Sequence, residues 1–122
     1  MQIVEITNNC NQVITAYNPG SIWVSGQEYT QSIIIQNDKL TVCPLKHIQE
    51  INPAYIKEIL QLKNQLLIIG SGPKFLPLDS TLISYLNHNK VGVEVMDTYA
   101  ACRTYTVLVA EQRNFSAIFF LN

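Results

Sequence analysis

Cys102 and Arg103, adjacent and a few residues past Asp97, are the pairing in this chain most open to chemistry. A thiol in the first turns of a helix, beside a guanidinium, has its pKa lowered, and the thiolate is the nucleophile. Nucleophilic catalysis also needs a base, usually a histidine, and His47 and His88 are both distant from Cys102 in sequence. On a helical wheel Cys102 flanks Ala101, Tyr105, Leu108 and Val109, an apolar face, so the spacing favours a small buried hydrophobe. Asp97 and Glu111 bracket the same segment about 14 residues apart, roughly 20 Å along a helix. A glycosidase pair needs less than ~10 Å, so they form no dyad. Cys43 and His47 have the spacing of half a metal site, but no second half appears and Pro44 intervenes. Neither a metal nor a cofactor is expected.

The other feature suited to ligand binding is Gly70-Ser71-Gly72-Pro73, at the end of the apolar run QLLII. It starts like a dinucleotide fingerprint, but Phe75 stands where the third glycine belongs and Pro73 removes a backbone donor. A strand-exit turn is the better reading. Asp97-Thr98 ends another predicted strand, and ligands of open α/β sheets bind outside such carboxyl ends. If the two strands are parallel neighbours, Gly70 and Gly72 face the start of the next helix across a crevice. With Thr98 as N-cap, the amides of residues 99–101 would offer an anion site there. The alternative is that Asp97 and Thr98 satisfy those amides themselves.

The elements that must position these residues follow from periodicity. Gln12–Ala16, Ile22–Val24, Ser32–Gln36 and Leu40–Cys43 read as strands, separated by the turns Asn18-Pro19-Gly20-Ser21 and Asn37-Asp38. They predict an N-terminal antiparallel meander. The continuous Ile33-Ile34-Ile35 predicts a strand covered on both faces. Asn52-Pro53 opens a helix, residues 65–69 form a buried strand, and a second helix runs from Asp79 or Ser80 to about His88. Val91–Val95 is the next strand, residues 98 to about 113 the last helix, and Ser116–Leu121 the closing strand. Residues 65–121 are thus predicted as βαβαβ, with parallel pairs and right-handed crossovers. On the far side of the last helix Ala100, Arg103, Thr104, Val107 and Glu111 mix apolar and charged types. Arg103 is expected to be buried there against a carboxylate, Glu111 or Asp97.

Composition bounds the rest. The 122 residues suffice for one domain, expected over 1–122, and not for two. Hydrophobic residues make up 48% and charged ones 14%, which excludes disorder. The net charge is −1 with the lysines scattered singly, so nucleic acid is not an expected partner. No window has the ~18 apolar residues of a membrane span. The N-terminus lacks the marks of an export signal, and three cysteines then suggest reduced thiols in a cytoplasmic setting.

LLIIGSG at 66–72, the helix over 79–89 and VGVEVMDTYAACRTYTVLVAEQR at 91–113, with YNPGSIWVSGQEYTQSIII upstream, resemble the Mth938-like family, a domain of unknown function (DUF498). That family includes mitochondrial respiratory complex I assembly factor 3 and many small bacterial and archaeal proteins. Gly70, Gly72, Thr98, Ala101, Arg103, Thr104, Tyr105, Glu111 and Arg113 match its pattern; Thr106 replaces a usual asparagine and Gln112 a usual glycine. The resemblance implies an α/β fold, a three-layer domain with a mixed central sheet, and no known catalytic activity.

Two functions are compatible with these features. The first is a non-enzymatic accessory protein, an assembly or chaperone-like factor for a respiratory or other membrane complex, with a protein partner and room for homo-oligomerisation. The second is a small-molecule or anion-binding domain, conceivably an enzyme, using the crevice between Gly70-Gly72 and the start of the last helix. The candidate residues for either are Gly70, Gly72, Asp97, Thr98, Arg103, Thr104, Tyr105, Glu111 and Arg113.

Overall fold

The computed structural model describes residues 12–61 and 64–122. Five short strands come first: β1 (Ile14–Asn18), β2 (Ser21–Val24), β3 (Gln27–Tyr29), β4 (Ile33–Gln36) and β5 (Lys39–Val42). Helix α1 (Pro53–Gln61) leads to β6 (Leu66–Gly70), α2 (Ser80–His88), β7 (Gly92–Met96), α3 (Thr98–Ala110) and β8 (Ser116–Phe119). The fold is mixed α/β, and its last five elements alternate strand and helix as the periodicity predicts.

The central sheet has the order β5-β4-β8-β6-β7. β6 pairs in parallel with β7 and β8, while β4 is antiparallel to β5 and β8, so the sheet is mixed. Parity sets its two faces. Ile33, Ile35, Ile68, Ala117 and Phe119 point to α3, whereas Leu67, Ile69, Ile118 and Phe120 point to α1 and α2. Both faces are covered, as the continuous apolar runs of β4 and β6 require.

The N-terminal meander is divided. β4 and β5 join the central sheet through the Asn37-Asp38 turn, whose two positive φ values, 50° and 66°, make a hairpin turn of the primed type. β1, β2 and β3 form a separate antiparallel sheet whose inner residues Tyr17, Ile22 and Val24 close over the α3 layer. Ser25-Gly26 is the hairpin turn into β3, a strand too polar (Gln27, Glu28, Tyr29) to announce itself by alternation. β1 is an edge strand with an irregularity at Thr15, between Ile14 and Ala16.

Both ends of α3 differ from the predicted ones. Asp97, not Thr98, is the N-cap: its backbone is extended and its carboxylate accepts the Ala100 amide at 2.9 Å. At the other end α3 stops at Ala110. The Gln112 amide then donates to Val109 O and the Arg113 amide to Leu108 O, both at 3.0 Å, a Schellman closure with Gln112 left-handed at φ 58°.

Candidate functional site

Packing at the start of α3 follows from the parallel pairing of β6 and β7. Gly70 lies opposite Met96, so the loops leaving both strands are neighbours. They are close enough to bond directly. The Ser71 amide donates to Met96 O and the Thr98 amide to Gly72 O, each at 2.8 Å. Thr98 is fully buried, and its hydroxyl accepts the Gly72 amide at 2.8 Å while donating to Phe120 O at 2.6 Å. A Cβ on Gly70 would stand 2.8 Å from Thr98 Oγ1 and 2.9 Å from Ala101 Cβ; one on Gly72 would meet the Asn122 carbonyl oxygen at 2.8 Å. Both glycines therefore serve close approach rather than a phosphate. The Ala100 amide is held by the Asp97 carboxylate, and the Ala101 amide by the Asp97 carbonyl. Asp97 thus satisfies the amides of Ala100 and Ala101 from within, while Thr98 spends its hydroxyl on Gly72 and Phe120 and on none of the helix's own amides.

The outward side of α3 is built differently. Arg103 is exposed and makes no ion pair with any described residue, which corrects the expectation of a buried pair with Glu111 or Asp97. Glu111 instead approaches Arg113 at 3.8 Å with both side chains about 55% exposed, a contact that contributes little. Arg103 sits on the wall of an open groove of about 350 Å³. One wall is β1 from Ile14 to Tyr17; the other is Tyr99, Cys102, Arg103 and Thr106. The Tyr17 and Tyr99 rings meet edge-on, with centroids 4.7 Å apart, and fix the groove where the two elements meet. Tyr17 donates from its hydroxyl to Leu121 O at 2.9 Å, so this wall is anchored to the chain beyond β8. Thr104 turns toward β7, donating to Met96 Sδ at 3.3 Å. Tyr105 is buried, edge-on to Phe115 and Phe119, and donates to Gln12 O at 2.8 Å.

Burial dominates the electrostatics of the groove. Burial pushes the Cys102 thiol up to about 12, outweighing the lowering effect of Arg103. Deprotonation of Tyr17 is likewise opposed, mainly by burial and then by the neighbouring Tyr99, and its pKa rises to about 12. Among the described residues no group of three or more His, Cys, Asp and Glu is placed to hold a metal ion. Cys10 lies outside the described residues.

A family model, described as protein of unknown function (DUF498/DUF598), matches residues 14–120, which include every element from β1 to β8. The chain belongs to the DUF498/DUF598 family. Among its relatives is the NADH dehydrogenase [ubiquinone] 1 alpha subcomplex assembly factor 3 of Xenopus tropicalis, 32% identical over 98 residues, 69% of this chain and 53% of that protein. The 13 kDa major membrane protein of Francisella tularensis is 34% identical over 71 residues, 58% of each chain. This chain spans little more than half the length of these curated relatives. In fold it is similar to a Mth938-like domain of Bordetella pertussis, with a TM-score of 0.77 at 21% identity over 99% of this chain and 92% of that one. Among the described residues no helix is long and apolar enough to cross a membrane.

Within DUF498/DUF598 the two departures noted in the sequence have distinct settings. Gln112 occupies a left-handed position, one that a glycine would adopt at no steric cost. Thr106 lines the groove and donates its hydroxyl back to the Cys102 carbonyl at 3.1 Å. Of the residues singled out by sequence, Gly70, Gly72, Asp97 and Thr98 come together in one packed seam. Arg103 belongs to the groove, Thr104 and Tyr105 face inward, and the Glu111–Arg113 pair caps the far end. Sequence reading missed the groove's other half: β1 and Tyr99. Only the docking of β1 on α3 assembles it, and that docking is not encoded in local spacing.

Proposed function

We propose that this member of DUF498/DUF598 is a non-enzymatic accessory protein that acts by contact with another protein, in the assembly of a membrane complex. The observation that carries this reading is the contrast on α3. Its inward polar groups are committed to internal hydrogen bonds, while its outward side leaves Arg103 exposed beside exposed Tyr99 and Val107. A catalytic site shows the opposite pattern, with activated groups converging on a pocket; the groove's thiol and phenol are both held protonated by burial. The assembly-factor name of the Xenopus tropicalis relative supports the same class of function. In this reading Arg103 is the principal contact residue, with Glu111 and Arg113 at its margins, while Thr104, turned toward β7, belongs with the frame. Gly70, Gly72, Asp97, Thr98 and Tyr105 are the frame that holds α3 in place. The protein works in the cytoplasm and reaches a membrane complex through its partner.

Deletion of the gene in its host, followed by native gel separation of the membrane complexes, tests this. The expected outcome is a reduced amount or an altered assembly state of at least one complex, restored by the wild-type gene. An unchanged set of complexes, together with a turnover by the purified protein that Arg103→Ala abolishes, would overturn it.

A further inference from the structure

We draw no further inference here: the strongest candidate, the open cleft of about 530 Å³ between the starts of α1 and α2 with Ile48, Ile51 and Leu78 as its apolar floor, has its one charged lining residue, Asp79, engaged in capping α2, and nothing in the structure shows what covers it.

Discussion

The two sides of α3 use similar residues to opposite ends. Inward, at its first turn, Thr98 is fully buried and joins three segments: its amide and hydroxyl reach Gly72, and its hydroxyl also reaches Phe120. Outward, the very next residue, Tyr99, and Arg103 a turn beyond it are exposed beside an open groove. The inner side resembles a domain core in which every polar group has a partner. The outer side retains hydrogen-bonding capacity and apolar surface that no described residue uses. A polar residue at a helix start is thus weak evidence for a ligand until its partners within the chain are known.

The largest effect that can test this division belongs to Thr98. Thr98→Val keeps the shape but leaves the Gly72 amide and the Phe120 carbonyl buried without their hydroxyl partner. Each such group costs about 1–3 kcal/mol, so the variant should lose about 2–6 kcal/mol in urea or thermal unfolding. A melting point within a degree or two of wild type would mean that water reaches these groups and that the inner side is open after all.

How much of this was legible beforehand depends on the range of the interaction concerned. Local signals performed well: the Asn52 side chain caps α1 by accepting the Tyr55 amide at 2.9 Å, and Asp79 caps α2 by accepting the Thr81 amide at 2.7 Å. The continuous runs of β4 and β6 fixed a sheet buried on both faces. Capping residues look alike in a local window, so Thr98 reads as an N-cap, whereas its hydroxyl partners, Gly72 and Phe120, are 26 and 22 residues away in sequence. Similarly, nothing in the run from Gln12 to Cys43 says which strands leave the central sheet. That choice is made by Tyr17, Ile22 and Val24 packing over α3, a contact across most of the chain. The mixed face of Ala100, Arg103, Thr104, Val107 and Glu111 predicts a buried Arg103, but Val107, its largest apolar member, is itself exposed.

Cys102 lies on the boundary between the two sides and offers the second test. Its pKa rises from 9.0 to about 12, chiefly through burial. Because the folded value lies above the unfolded one, the neutral thiol's contribution to stability is complete below about pH 9 and is lost as pH climbs toward 12. At pH 8 the thiolate is scarce, so alkylation of Cys102 by iodoacetamide, followed by peptide mapping, should run at least about tenfold slower than that of a free thiol. A rate above the free thiol's would make the groove a reactive site and move Cys102 to the outer, functional side.

The smallest effect is the most discriminating. Arg103→Ala removes a charged side chain that is exposed and touches no described carboxylate. Substitutions at such positions change stability by no more than about 0.5 kcal/mol, so the variant should unfold at the same denaturant concentration as wild type. Against the several kcal/mol expected at Thr98, that silence would say that Arg103 is dispensable to the fold. A loss of 3 kcal/mol or so, the cost of breaking a buried pair, would instead return Arg103 to the interior and erase the contrast between the two sides. The comparison is best made in one series of urea unfolding curves, since an unchanged slope for both variants excludes an altered unfolded state as the cause.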